Sequence, residues 1–535
     1  MTTPEYDVVL AGYGPVGTTA ANLFGQLGIR TLVLERDDAV YRLPRAGTCD
    51  DEAMRIWQSI HLSDLLMPKL LPQKLVQFLD DAGKPFLELR GTDFGYGFHT
   101  FILLYQPLIE KTLREGVDRF SCVEVRLGNE VESFSDSGEA VTVRARDLGT
   151  GKAYDVRAKY LLGCDGGRST VRHQIGSELI GKTFQQWLVV DVKVEDPSRY
   201  PSNLQLICDP KRPVVTYPMA LNHHRWQFML KAGETTEHME QLETVKALLA
   251  PWADLDNVKL IRKSVYIYHA RIADKWTAGR IFLAGDAAHL TPPFGGTGMN
   301  SGIRDVSNLS WKMALVLRGY ADAQILNSYQ IERKTHVQKM TRMSVLFCRI
   351  LQTQSRPVAG IRNLFFRLLK FVPVIGRKVI SGEFKPEASF RRGLVATDRQ
   401  QLSRTARGKL FIQPKVRTTN KESVLLDEVL GHGFAVLGLE VDPRCVITPE
   451  SQAFWENLST RFVRIIGETQ KPGPEEGLVV VADLESRLAA WFARFHVNLV
   501  VLRPDRYVFG AFNANAAGCA AQELRLSLFP HGEVS

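Results

Sequence analysis

The sequence predicts an α/β protein: an open parallel sheet of the dinucleotide-binding kind, an inserted β layer, and a separate small α/β domain at the carboxyl end. Three observations predict this. First, an apolar strand at 7–11 runs through a glycine-rich turn into a helix-like stretch and returns as a second strand, Thr31-Leu-Val-Leu-Glu35. Second, apolar runs at 160–164 and 280–285 each end in an aspartate beside a glycine. Third, residues 181–275 alternate in the strand period, and strand patterns restart after about residue 400.

In the first unit each glycine has a separate task. Gly12 permits the tight turn off the strand, Gly14 lets backbone approach a pyrophosphate, and Gly17 lets the helix pack closely on the sheet. The helix amino terminus then offers free N–H groups and a positive dipole to phosphates. Glu35 ends the second strand roughly 20 residues on, where an acid accepts hydrogen bonds from both ribose hydroxyls and disfavours a 2′-phosphate. A glycine pattern alone would also fit an ordinary turn. The strand, helix, second strand and acid in register make it a dinucleotide site, with Arg36 beside it.

The next two units belong to the same edge, because ligands of open parallel sheets bind beyond the carboxyl ends of strands. Cys164-Asp165-Gly166 closes the second, and Gly285-Asp286-Ala-Ala-His289 closes the third. A loop rich in proline and glycine follows, Pro292-Pro293-Phe294-Gly295-Gly296-Thr297, and Gly298-Met299-Asn300 opens a helix whose amino terminus suits an electron-rich group. No second GxGxxG has this context, which argues against a second full dinucleotide domain. His289 could act as acid or base, but its place in the motif favours a structural role at a helix start.

The alternating runs Trp187-Leu-Val-Val-Asp-Val-Lys-Val and Trp226-Gln-Phe-Met-Leu suit a sheet covering a substrate. Between residues 333 and 382 there are eleven Lys or Arg and no Asp or Glu, interleaved with apolar runs. That reads either as a basic amphipathic surface for a membrane or anionic partner, or as packed helices with solvated or subunit-facing basic sides; Pro357, Pro373 and Gly376 break it up and favour the second. The net charge of +9 is thus not a nucleic-acid signature in itself. Seven scattered cysteines without CxxC, and His223-His224 without further ligands, give neither disulfide framework nor metal site. With no basic leader and no apolar run of membrane-spanning length, a cytoplasmic protein is expected. The expected units are 1–180 (with a short substrate-layer insertion near 75–100), 181–275, 276–335, a helical basic segment 336–398, and 399–535.

These motifs, in this order, resemble the class A flavoprotein aromatic hydroxylases, and more narrowly the group acting on 3-(3-hydroxyphenyl)propionate and 3-hydroxycinnamate. Pro44-Arg45-Ala46, Asp50-Asp51-Glu52-Ala53, Gln186-Trp187-Leu-Val-Val-Asp191, Asn300-Ser-Gly302-Ile-Arg-Asp305 and Leu499-Val-Val-Leu-Arg-Pro-Asp505-Arg506 carry the narrower likeness, which runs end to end. It implies an FAD-binding, Rossmann-like domain of the aromatic hydroxylase type with an inserted β-sheet substrate domain, and a thioredoxin-like carboxy-terminal domain lacking redox cysteines. Glu35 would hold the adenosine ribose, Arg45 and Gln106 the phosphate and ribityl region, and Asp286 the ribityl chain. Asp165 would serve flavin and nicotinamide contacts. Thr297 stands where near relatives carry glutamine, and Pro293-Phe294 replaces a bulkier pair, so the resemblance reaches the chemistry further than the substrate.

The implied reaction is a monooxygenation: NAD(P)H, with NADH favoured, reduces non-covalent FAD, and O2 adds to give a flavin C4a-hydroperoxide that passes one oxygen to a small phenolic ring. No residue is assigned as the base. Gln186, Trp187, Tyr217, Phe228 and Pro293 are candidate pocket residues, and Arg212 and Arg225 are candidates for a propionate carboxylate. The resemblance allows a homo-oligomer and gives no nucleic-acid or integral-membrane partner. Two alternatives stay open: a hydroxylase of a larger aromatic or polyketide, and a flavin-binding regulatory or membrane-associated protein using the 333–382 segment.

Overall fold

The computed structural model describes residues 5–382, 385–396, 405–513 and 519–530. Strand β1 (Tyr6–Ala11) leads into helix α1 (Pro15–Gln26) and β2 (Thr31–Glu35); β3 (Ala153–Gly163) and β4 (Ile281–Leu283) come from far along the chain. All four strands run parallel, in the spatial order β4-β3-β1-β2, so their carboxyl ends share one edge. Val8, Val9, Leu10, Leu161 and Leu162 are wholly buried, as expected of strands covered on both faces. Pro15 begins α1, where a missing N–H costs nothing.

A second eight-stranded sheet stands over that edge. Two sixteen-residue strands, Leu179–Val194 and Val258–Ala273, pair antiparallel along most of their length. Its far side runs through His223–Met229, Val214–Met219 and Leu204–Ile207 to Leu75–Leu79 and Pro85–Arg90. These last two strands come from the stretch near 75–100, and Leu75–Leu79 joins by parallel pairing with Leu204–Ile207.

Helix α2 (Thr297–Leu317) runs back from the shared edge through the core, followed by the 25-residue α3 (Asn327–Leu351) and by α4 (Arg356–Leu369). The expected boundary at 335/336 therefore falls inside a continuous helix. The carboxy-terminal sheet has a parallel trio, Ala435–Leu439, Arg461–Ile466 and Val479–Asp483, extended by the antiparallel hairpin Leu499–Leu502 and Val508–Phe512. Buried ion pairs fasten this domain down. Arg503 meets Glu332 of α3 through two hydrogen bonds of 2.8 Å, Lys312 of α2 donates to the same carboxylate at 2.8 Å, and Arg55 pairs with Asp427 at 2.6 and 2.8 Å.

Candidate active site

Between the parallel edge and the second sheet lies a cavity of about 400 Å3. On one side the turn after β1 opens into it. An added side chain at Gly12 would strike the Cys164 carbonyl at 2.5 Å, and one at Gly17 would strike the Gly12 carbonyl at 2.1 Å, whereas one at Gly14 would meet nothing within 4 Å. The first two glycines thus allow close packing and the third leaves room for a ligand. Gly12 also has φ +98°, which side chains strain to adopt. Glu35 accepts from the backbone N–H groups of Tyr13 (2.6 Å) and Asp37 (2.9 Å), which places its carboxylate against the glycine turn. Arg36 lies outward beside Asp37.

Asp286 opens into the cavity from the end of β4, and among the described residues its carboxylate has no hydrogen-bond partner. Gly285 has φ +61°, and an added Cβ there would press on Val16 at 3.0 Å, so the turn and the start of α1 interlock. The first turn of α2 presents Thr297, Gly298 and Met299 to the cavity after the left-handed pair Gly295 and Gly296. Its leading N–H groups lack helical acceptors.

Other expected residues are occupied elsewhere. Asp165 accepts from the Val171 N–H at 3.1 Å, which makes it a cap on the following short helix, while its other oxygen is buried without a partner. Gln106 receives the N–H groups of Arg45 (3.0 Å) and Ala46 (2.7 Å), fixing the segment that brings Arg45 to the cavity. Asn300 bonds back to Gly296 and borders an adjoining side chamber rather than the main cavity. His289 is fully buried and bonded to Asp305 at 2.8 Å; Asp305 also receives Arg333 at 2.9 Å and the Gly285 N–H at 3.2 Å. This cluster supports the turn from behind.

The sheet side is organised by a row crossing four strands. Tyr217 is the cross-strand partner of Arg225, Arg225 of Asp191, and Asp191 of Arg262. Arg225 forms two hydrogen bonds to Asp191 (2.6 and 2.9 Å) and reaches the carbonyls of Pro44 and Arg45. Burial alone would lower its pKa, but Asp191 outweighs this and holds it up. Arg262 lies 3.7 Å from the same carboxylate and over the Tyr266 ring; burial pushes it down and Arg225 and Arg45 add to that. One buried carboxylate thus serves two buried guanidinium groups, leaving the wall with surplus positive charge. Tyr217 accepts from Arg225 (3.3 Å) and Gln227 (3.4 Å), so its own proton stays available to a ligand. Tyr268 donates to the other end of Gln227 at 3.1 Å.

Strand alternation explains which pocket candidates reach the cavity. Tyr217 and Pro293 line it; Trp187 stands one layer behind, against Phe294 and Tyr268; Phe228 points to the opposite face, because its neighbour Gln227 faces in. Gln186 sits at a register shift outside the lining, and Arg212 is taken by Glu234. Sequence reasoning missed Gln227, Arg262, Tyr266 and Tyr268. The even spacing of 262, 266 and 268 puts them on one strand face, a signal present in the sequence.

Thr297 is satisfied by Thr291 and Ser344, and Phe294 packs between Trp187 and Tyr268. The acidic trio Asp50, Asp51 and Glu52 is ion-paired with Arg304 and Lys385. The open space over Gly14, the unpartnered Asp286 and the start of α2 at the cavity fit a dinucleotide that ends in a planar, electron-rich ring.

Comparison with known proteins agrees with this geometry. The FAD binding domain family matches residues 5–344, and the HcaD C-terminal domain family matches 408–527. The 3-(3-hydroxy-phenyl)propionate/3-hydroxycinnamic acid hydroxylase of Burkholderia cenocepacia (strain HI2424) is 36% identical over 524 residues, covering 96% of this chain and 94% of that protein. The protein of the same name from Mycolicibacterium smegmatis (strain ATCC 700084 / mc(2)155) is 37% identical over 528 residues, covering 98% and 92%. Among solved structures, the flavin-dependent monooxygenase PieE, in complex with FAD and substrate, superposes with a TM-score of 0.81 at 20% identity over 98% of this chain and 100% of that one. Aklavinone-11 hydroxylase, with FAD and aklavinone, gives 0.78 at 23% over 99% and 100%. Sequence likeness along nearly the whole length, on a fold with this cavity at its dinucleotide edge, makes the chain a member of the FAD-dependent aromatic hydroxylases.

Proposed function

We propose that the protein hydroxylates a single-ring phenol bearing a short carboxylate arm, of the 3-(3-hydroxyphenyl)propionate type, with NADH or NADPH as reductant and O2 as oxygen source, in aromatic catabolism. The observation that carries this reading is the Tyr217–Arg225–Asp191–Arg262 row: a cationic pole and a hydroxyl donor on one apolar-walled cavity. Relatives above 30% identity bear the corresponding name. A cavity of about 400 Å3, at the small end of ligand pockets, must hold both the cofactor ring and the substrate, which favours one ring over a fused polyketide.

When bound, FAD supplies the electron transfer and oxygen activation. In this reading the turn Gly12–Gly17 and the start of α1 receive its pyrophosphate, Glu35 a ribose, Arg45 and Asp286 the ribityl region, and Gly298 and Met299 the ring edge, with Asn300 holding the Gly296 turn behind them. The chain's own residues then orient the substrate. Arg262, which donates to the Pro44 carbonyl and has only a share of Asp191, takes the carboxylate. Tyr217, kept proton-outward by its two donors, gives a hydrogen bond to the phenolic oxygen and favours its deprotonated form, which makes the ring a stronger carbon nucleophile. Val76, Phe78, Leu206 and Val215 keep water away.

The test is NADH and NADPH oxidation against a panel of phenols, with product mass measured under 18O2. One added oxygen from O2 on a phenylpropanoid supports the proposal. Turnover confined to multi-ring substrates would replace it with the polyketide reading.

A further inference from the structure

Within the stretch from 333 to 382, α3 buries its apolar side chains, but α4 is turned inside out. On α4 the charged Arg362 turns inward, donating to the carbonyls of Ile350 and Cys208, and Phe366 packs on Phe86 of the edge strand Pro85–Arg90. The apolar Val358, Ile361, Leu364, Phe365 and Leu368 turn out, spaced as one helical stripe. Phe371, Val372 and Ile375 continue it, and all eight are between 42% and 72% exposed. Folded monomers seldom leave so many large apolar side chains together in water.

The segment's own charges have one sign, and the acids nearest it, Asp80, Asp81 and Glu88, sit on and before the neighbouring edge strand. Arg342, Arg349, Arg356, Lys370 and Lys378 are exposed, and the sequence has no acid from 333 to 382. The half-exposed Arg367 is matched by Asp80. A two-fold pairing of this face with a second copy would bring like charges together. An anionic lipid surface offers an apolar layer for the stripe and phosphates for the cations. Among the described residues no helix is long and apolar enough to cross a membrane, so the contact would lie in the interface plane.

We propose that α4 and the residues after it dock the protein on anionic membranes. The location gives this a purpose. Strand Pro85–Arg90, on which α4 packs, contributes Leu89 to the wall of the main cavity, and the adjoining side chamber is bordered by Leu89, Arg90, Ser381 and Gly382. Docking would hold that end of the substrate sheet at the lipid surface, where aromatic compounds partition.

The full-length protein should co-sediment with vesicles of phosphatidylcholine containing one-third phosphatidylglycerol at least roughly ten-fold better than with pure phosphatidylcholine, and molar salt should reverse this. The variant I361E/F365E/F371E should stay in the supernatant while keeping its FAD and its activity on soluble substrate. Should that variant misfold, hydrogen exchange on the wild type decides: the anionic vesicles should protect residues 356–375 selectively. Wild type that remains soluble with anionic vesicles, or protection elsewhere only, would overturn the proposal. So would light scattering showing a dimer that the variant converts to monomer, since the face would then belong to a second copy.

Discussion

Asp191 and Arg225 lie opposite each other on adjacent antiparallel strands and bind through two hydrogen bonds with both side chains buried, while Arg262 draws on the same carboxylate from the strand on the other side. Neutralising the middle member would leave two guanidinium groups uncompensated in the cavity wall. Asp191→Asn should therefore lower unfolding stability by about 3–5 kcal/mol, the usual cost of breaking a buried pair by removing one partner. Denaturant unfolding checks this, and a loss below about 1 kcal/mol would mean that the arginines find other acceptors.

Removing the outer member tests the substrate assignment. Arg262→Met keeps bulk over Tyr266 but takes away the charge proposed to meet a carboxylate. The KM for 3-(3-hydroxyphenyl)propionate should rise roughly ten- to a hundred-fold, matching about 1.5–3 kcal/mol for a lost charged hydrogen bond. The KM for 3-ethylphenol, which has no carboxylate, should stay within about two-fold. Equal loss for both substrates would make Arg262 a packing residue.

Glu332 links the two large domains and gives a pH signature. Burial would push its carboxyl up, but Arg503 and then Lys312 outweigh this and hold it at about 2. A folded pKa below the unfolded value, roughly 4.3, contributes stability that is complete above pH 5 and is lost as the pH falls toward 2. Glu332→Gln should lower stability at neutral pH and flatten the acid limb between pH 5 and 2. An unchanged acid limb would mean that other carboxylates govern acid unfolding.

The dinucleotide edge was legible because its demands are local. Glycines at 12, 14 and 17 and an acid at 35 mark a turn and a strand end whatever surrounds them. The wall facing it was less legible. Which residues of an alternating strand face the cavity depends on register, and the shift near Thr183 and Gln186 changes which side chains point inward. Gln186 sits outside the lining for this reason, Phe228 because it alternates with the inward-facing Gln227, and the role of Arg262 depends on Asp191 lying between two strands. Asp165 was visible as a polar residue at a turn and its partner Val171 is local, whereas Gln106 entered only through the resemblance and its partners at 45–46 follow from tertiary packing.

Asp286 separates cofactor holding from fold. It has no partner among the described residues and its neighbours Ala284 and Ala287 carry the packing, so Asp286→Ala should keep the fold by circular dichroism yet emerge from purification with little FAD. Stoichiometric yellow cofactor in that variant would show that the ribityl contact lies elsewhere.

Tyr217 should reveal itself in pH dependence and coupling. If its hydroxyl donates to the phenolic oxygen, Tyr217→Phe removes a group that favours phenolate but leaves the carboxylate contact and the cofactor site intact. Hydroxylation at neutral pH should fall roughly ten- to a hundred-fold, at or below the lower end of acid–base contributions because Tyr217 donates a hydrogen bond without taking the proton, and recover as the pH rises toward the phenol's own pKa near ~10. NADH oxidation should persist, with hydrogen peroxide released in place of product. The wild type given 3-phenylpropionate, which has no ring hydroxyl, should behave likewise at all pH values, because an unactivated ring is too poor a nucleophile to take the oxygen. Two results would separate the ideas. Efficient hydroxylation of 3-phenylpropionate would refute attack by an activated phenolate for this protein. An unshifted pH profile in Tyr217→Phe, with 3-phenylpropionate still uncoupled, would keep that chemistry and move the hydrogen-bond donor to another residue on the wall, with Tyr268 the next to replace.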